Sequence, residues 1–394
     1  MDWTPLDQCT WTAMPSNERK FFSWEESMAL FDLVFEGGGA KGSAFVGALT
    51  ALAENGHTIR RLIGTSAGAI TAATVAAGYS PGELVVLVNE KVGGKPRFAT
   101  FMDRPAAASF TDEEKDKSAT MRALHMVRFP MFADREILHL LLDTPVYPHL
   151  FSFVECGGLF SGDAFLAWIT EKLAAKGIAA TDTMKTFFSK KNVDLSVVTS
   201  DTTDGEMLVI NHRTAPDVPV TWAVRMSMSI PFVWREVVWQ ENWGRYQGRP
   251  KAGNIMVDGG VLSNFPIRLI AESVPDIMGD TDPNAALNLG LLLDEQLPKD
   301  PIARSSPAAP AISEEPLGVV RRVSCLIDTM MGAADNDGIR KRSAEICRLP
   351  VKGVGTIEFN MSDQKLQALI KGAHDAVAAH LEGRGLSKAA AATK

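Results

Sequence analysis

Two glycine turns inside one strand–helix–strand–helix run constrain this chain more than any other feature. Residues 33–49, LVFEGGGAKGSAFVGAL, place Gly37, Gly39 and Gly42 in a G-x-G-x-x-G between an apolar run and a helical one. Asp32–Glu36 reads as a buried strand. Ser43–Asn55 has helical spacing, with Phe45, Leu49 and Leu52 on one face and Gly56 just past its end. The stretch IRRLIG reads as a second strand, and AGAITAATVAAG as a helix of small residues that ends near Gly78. Strands alternating with helices specify an α/β layer with a parallel sheet.

What the first turn serves is decided by the second. A dinucleotide-binding unit needs a carboxylate at the end of its second strand, to hold the ribose. Here that strand runs into Gly64-Thr65-Ser66-Ala67-Gly68, and no acid stands there. A phosphate-binding P-loop fails as well, because Lys41-Gly42-Ser43 has lysine and glycine in the wrong order. G-x-S-x-G on a strand-to-helix turn is instead the arrangement of a nucleophile elbow, with Gly64 and Gly68 flanking Ser66. Both turns fall at the same end of a parallel sheet and can share one site. A serine that attacks an ester makes an oxyanion, which N–H groups of a glycine turn can stabilise. Gly38, Gly39 and Ala40 are the expected donors, with Lys41 adding positive charge nearby.

Ser66 needs a base. Of seven histidines, only His374 and His380 follow a plausible acid in hydrolase order, and both lie on a terminal amphipathic stretch. Asp258, in NIMVDGGVLSNFPI, is the better candidate. It ends an apolar strand, and Gly259 and Gly260 after it permit a close backbone approach. An exposed Asp, with a pKa of about 3.9, is a weak base. Burial raises that pKa and strengthens its hydrogen bond to the serine.

The rest of the chain supplies the frame. Residues 1–30 are Trp-rich and irregular, and residues 93–157 are less regular and more aromatic, with PVYPHLFSFVECGG apolar and broken by prolines. Asp163–Gly177 reads as an amphipathic helix, and 194–210 as a hairpin across Asp204-Gly205. Residues 298–316 form a Pro/Ala/Ser loop, GTIEF (355–359) reads as a strand, and a helix capped by Ser362 stops near Gly383. The net charge of −7 argues against a nucleic-acid polymer as partner. The four cysteines show no metal or C-x-x-C spacing and read as free thiols. No signal peptide is visible and no run reaches the ~20 apolar residues of a membrane span, so a cytoplasmic protein with peripheral membrane contact is expected. No carboxylate or Cys/His cluster offers a metal site, and no cofactor is expected.

Taken in order, GGGAKG, GTSAG and DGG resemble the patatin-like phospholipases, and GLFSGDAFLAWI, AVRMSMSIPFVW and VDGGVLSNFPI agree with them. The resemblance covers residues 32–92 and 156–295, and more weakly the stretch IEFNMSDQKLQALIKGAHDAV. It implies a three-layer α/β fold with a central, mostly parallel sheet flanked by helices. It further implies a lipid acyl hydrolase with a Ser–Asp dyad, no histidine and no metal. By position Ser66 is its nucleophile, Asp258 its base and Gly37–Gly42 its oxyanion loop. The expected organisation is an extension (1–31), a hydrolase domain (32–295) with 93–155 as a cap, a loop (296–316), and a C-terminal part (317–394) that completes the domain. FPMF and PVYPHLFSF either dip into a bilayer or fill the core, and Met226 and Met228 either line an acyl channel or simply pack. Two other readings stay open: a hydrolase held inactive until a small ligand such as a cyclic nucleotide, or a host partner, opens it, as in related antiviral effectors and toxins; and a catalytically silent lipid-binding module.

Overall fold

The computed structural model describes residues 28–126, 131–272, 274–279, 285–297, 329 and 335–388. The N-terminal extension up to residue 27, the loop over 298–316 and the tail from 389 lie outside the described residues.

The central sheet is built from β1 (Leu30–Phe35), β2 (Thr58–Thr65), β3 (Asp194–Asp201), β4 (Glu206–Ile210), β5 (Val237–Val238), β6 (Ile255–Asp258), β7 (Leu287–Asp294) and β8 (Ile346–Pro350). Its order is β8-β7-β1-β2-β3-β6-β5, with β4 hairpinned onto β3 across Asp204-Gly205 as the sequence predicts. The strands from β8 to β3 are parallel neighbours, β4 and β6 run antiparallel to β3, and β5 runs antiparallel to β6. The strands are apolar on both faces because both faces are covered. On β1, Phe31, Leu33 and Phe35 join one core and Val34 the other, and β2 divides Leu62 from Ile63 in the same way.

Helices α1 (Ala44–Glu54), α2 (Ala67–Ala77), α3 (Pro81–Val88), α4 (Met131–Leu142), α5 (Tyr147–Cys156), α6 (Asp163–Ala175), α7 (Val220–Ser227) and α8 (Asp363–Gly383) surround it. The first core takes apolar residues of α1, α2, α3, α6, α7 and α8, while Phe265, Ile267, Leu269 and Met278 close the second face. The result is the expected three-layer α/β architecture. Phe110, Met121, Leu138, Leu142 and Phe151 form a third, separate cluster within the segment between α3 and α6.

Two local expectations are corrected. Only one proline of PVYPHLFSF stands at a break: Pro145 lies in the bend between α4 and α5, whereas Pro148 sits in the first turn of α5, where a missing N–H costs no intrahelical bond. GTIEF is a turn, not a strand. The Glu358 carboxylate accepts the Gly355 N–H at 3.0 Å and the Thr356 carbonyl accepts from Ala40 at 2.8 Å, so the polar groups are used locally and against the glycine loop. The strand of that region is β8, a few residues earlier.

Register positions the site. β2 lies along β3 until Thr65 faces Val198, while β6, running the other way, brings Asp258 opposite Thr199. β4 fills the opposite edge of β3 from Val197 to Asp201. The ends of β2 and β6 therefore meet head to head on one edge of β3, and the residue after Thr65 is Ser66.

Candidate active site

Ser66 joins β2 to α2 with φ 53° and ψ −120°, a conformation that side chains other than glycine rarely adopt. Such strain costs about 1–3 kcal/mol and persists only where the surroundings impose it. Ser227, at the end of α7, is one constraint. Its Oγ accepts the Ser66 N–H at 2.8 Å and donates to the Val198 carbonyl at 2.6 Å. The flanking glycines are another. A Cβ on Gly64 would lie 2.2 Å from the Gly68 carbonyl oxygen, and one on Gly68 would lie 2.4 Å from that of Phe35.

Asp258 ends β6 and is buried. Its Oδ1 accepts the Gly260 N–H at 2.8 Å, and its buried Oδ2 has no hydrogen-bond partner among the described residues. Its own N–H donates to the Ser229 carbonyl at 2.8 Å, in a loop tied by the buried Arg225 guanidinium to Ser229 Oγ. Burial pushes the carboxyl up to about 7, against the opposing pull of the Ser66 hydroxyl and the Gly260 N–H. Ser66 is thus close enough to act on the carboxyl, although no hydrogen bond of ordinary geometry joins the two. Gly259 permits the approach: a Cβ there would stand 2.4 Å from the Val198 carbonyl oxygen and 3.0 Å from Thr65 Cγ2.

The glycine loop is pinned at both ends. Gly37 donates to the Asn264 carbonyl at 3.0 Å and accepts from Asn264 Nδ2 at 3.1 Å. Ala40, expected among the oxyanion donors, gives its N–H to the Thr356 carbonyl at 2.8 Å and is not available. Lys41 is likewise committed: its Nζ donates to Thr356 Oγ1 at 2.9 Å and pairs with Glu295, so its charge is largely spent on the neighbouring turn. The N–H groups of Gly38 and Gly39, and that of Ala67 at the start of α2, have no acceptor among the described residues. Gly42 lets the loop rest on α2, since a Cβ there would meet Ala67 Cβ at 2.6 Å. Glu36, just before the loop, accepts from Asn264 Nδ2 at 3.2 Å and from the Leu293 N–H, and burial pushes its carboxyl up to about 8.

Beside Ser66 opens an apolar cavity of about 770 Å³, part of it open to solvent, walled by Ile70, Leu87, Phe101, Phe165, Trp168 and Trp234 among others. Met228 lines it, whereas Met226 is fully buried in the core. Neither histidine touches the site. His374 pairs with Glu54 and Asp375 at the surface, and His380 is on the same helix α8, packed against α1. The structure does assemble a carboxylate cluster that the sequence did not reveal, Asp201, Asp204 and Glu206. Its centre is taken by the buried Lys251 ammonium, which pairs with all three. Ser227, Asn264, Glu36 and Thr356 also touch the site, and no sequence motif assigns them that place. Ser227 and Asn264 stand inside the motif-bearing stretches AVRMSMSIPFVW and VDGGVLSNFPI, but nothing local marks them as touching other turns.

The sequence matches the model of the family described as "Patatin-like phospholipase" over residues 33–271. It is also 31% identical over 352 residues to YqhO of Bacillus subtilis, an alignment that spans 86% of this chain and 94% of that one. The chain belongs to the patatin-like phospholipase family. This is a family of lipid hydrolases, and an apolar cavity beside an elbow serine accords with that. A shorter similarity, 26% over 111 residues, links 28% of the chain to 34% of the "Probable lipid hydrolase 463L" of Invertebrate iridescent virus 6. Among solved structures, VipD from Legionella pneumophila aligns over 91% of this chain and 67% of its own, with 16% identity and a TM-score of 0.42. The type III effector ExoU aligns over 92% of this chain and 54% of its own, with 18% identity and a TM-score of 0.38.

Proposed function

We propose that this patatin-like protein is a phospholipase A that cleaves acyl esters of glycerophospholipids through Ser66 and Asp258. The observation that carries the reading is the meeting of β2 and β6, which sets a strained serine beside a buried carboxyl with one unpartnered oxygen. Ser66 Oγ attacks the ester carbonyl carbon and its proton passes to Asp258. The oxyanion takes hydrogen bonds from the Gly38 and Gly39 N–H groups, which the loop holds open in advance. Collapse expels the lysolipid alcohol, which recovers the proton from Asp258. Water then releases the fatty acid by the same steps. The apolar cavity holds the acyl chain. This route needs no metal and no cofactor.

The substrate lies in a bilayer, so a transient membrane contact belongs to the proposal, for a protein that otherwise resides in the cytoplasm. Among the described residues no single helix is long and apolar enough to cross a membrane. Asp134–Leu142 and Tyr147–Cys156 would suffice together by length and composition, but are bent by 110°. Leu140, Val146, Leu150 and Val154 are exposed on this bent pair and its connection, and they are assigned the contact. The test is release of fatty acid from labelled phospholipid vesicles, with an organophosphonate probe to mark the nucleophile. Labelling of a serine other than Ser66, or undiminished release by Ser66→Ala, would overturn the assignment.

A further inference from the structure

Two buried oxygens at the site, Asp258 Oδ2 and Asn264 Oδ1, have no hydrogen-bond partner among the described residues. The proposed base role accounts for the first. The second needs its own explanation, because Asn264 is only 6% exposed and leaving a buried polar group unpaired is costly. The orientation of the amide is fixed by its neighbours. Its Nδ2 lies 3.1 Å from the Gly37 carbonyl oxygen, which can only accept, so the NH₂ must face it and Oδ1 must face away. Oδ1 and the serine border the same point beside Gly37. The point where a Cβ on Gly37 would stand is 2.2 Å from Asn264 Oδ1 and 3.2 Å from Ser66 Cβ. With glycine at position 37, amide oxygen and serine face the same space.

We propose that Asn264 Oδ1 is the second acceptor for the water that hydrolyses acyl-Ser66, and that it thereby favours water over alcohols as the acyl acceptor. The inference rests on the reading of Ser66 as nucleophile. Water brings two O–H bonds to the acyl carbon. One points at Asp258 Oδ2 and the other at Asn264 Oδ1. As the water oxygen bonds to the carbonyl carbon, the first proton moves to Asp258. Collapse of the intermediate breaks the bond from carbon to Ser66 Oγ, and Oγ takes that proton back. The fatty acid leaves with the water oxygen and its remaining hydrogen. An alcohol has a single O–H, which Asp258 alone accepts, and its alkyl group stands where water's second hydrogen would point.

The test is product partition in buffer containing methanol, read as methyl ester against free fatty acid. Asn264→Ala and Asn264→Leu both remove the acceptor, the second while filling much the same volume. Ser227→Ala disturbs Ser66 without touching the amide oxygen. The ratio of methyl ester to acid should rise about fivefold in both Asn264 variants, as for one hydrogen bond lost only on the hydrolytic path, and should stay at the wild-type value in Ser227→Ala. The ratio is set after the acyl-enzyme forms, so a smaller folded fraction does not move it. An unchanged ratio in the Asn264 variants, or an equal rise in Ser227→Ala, overturns the inference. Wild-type ratios that differ between esters with two different leaving groups would instead rule out a common acyl-enzyme, and with it the Ser66 reading.

Discussion

Ser66 and Asp258 occupy positions that cost stability, and both costs are measurable. Ser66→Ala removes the proposed nucleophilic hydroxyl, and Asp258→Asn keeps the shape but cannot take a proton. The first should leave no measurable ester turnover, and the second should lose roughly 10²–10⁴-fold. His374→Ala and His380→Ala should keep near-normal specific activity, since neither ring touches the site. Burial moves the Asp258 carboxyl from 3.8 up to about 7, so the fold binds its proton more tightly than the unfolded chain does. Stability held at low pH is then lost as pH rises through about 7. Asparagine stays neutral throughout, so the difference in Tm between Asp258→Asn and wild type should shift in favour of the variant from pH 5 to pH 8. Activity runs the other way, because the base must be ionised: kcat/KM should climb with pH through about 7. Calorimetry of both proteins across this range and a pH–rate profile check the pair. A Tm difference that does not change with pH would mean the carboxyl is not destabilised by burial.

The elements matter through their ends. The glycine loop is a strand-to-helix connection with Gly39 at φ 54°, and a Cβ there would stand 2.0 Å from the Thr356 carbonyl oxygen. That carbonyl already holds the Ala40 N–H, so the loop cannot yield without losing its own anchor. Gly39→Ala should therefore cut turnover by at least the roughly 10²–10³-fold associated with one oxyanion donor. Circular dichroism of the same sample separates this from global unfolding. The bent pair α4–α5 makes a different forecast. Leu150→Glu combined with Val154→Glu places charge on an exposed face and leaves Ser66 untouched. It should weaken sedimentation with phospholipid vesicles and slow their hydrolysis severalfold, while turnover of a short, water-soluble ester stays unchanged. Equal losses on both substrates would remove the assigned contact.

At the scale of the whole molecule, the family match ends at residue 271, but the fold does not. β7 lies beside β1 inside the sheet, β8 forms its edge, and α8 packs along α1. The closeness of that last contact is plain at Gly47, where a Cβ would stand 1.9 Å from the Ile370 carbonyl oxygen. α8 buries Leu366, Leu369, Ala373, Val377 and Leu381. At about 1.5–3 kcal/mol for each large apolar side chain, losing them removes much of the 5–15 kcal/mol that stabilises a typical domain. A chain ended at residue 361 should fail to give a cooperative urea transition and should collect in the insoluble fraction. A soluble, active product would show that α8 is an accessory element.

The layers and the turns are written in local sequence. Strand–helix alternation, helical spacing in Ser43–Asn55 and paired glycines are local properties, set by backbone sterics and by how close two chains may pass, and they stand in the structure where the sequence puts them. Pro148 and GTIEF mark the limit of local reading: a proline is a helix opener or breaker according to where the helix begins, and a β-rich stretch becomes a turn when its polar groups find nearer partners. Which groups meet is settled by long-range packing. That Asp258 rather than a histidine stands beside Ser66 follows from β2 and β6 sharing one edge of β3, a register between strands far apart in the chain. The loss of Ala40 as a donor depends on Thr356, the gathering of three carboxylates depends on Lys251, and Asn264 and Ser66 approach one another across Gly37. No periodicity encodes such meetings, because each is fixed by long-range packing of surfaces whose local patterns would suit many other partners.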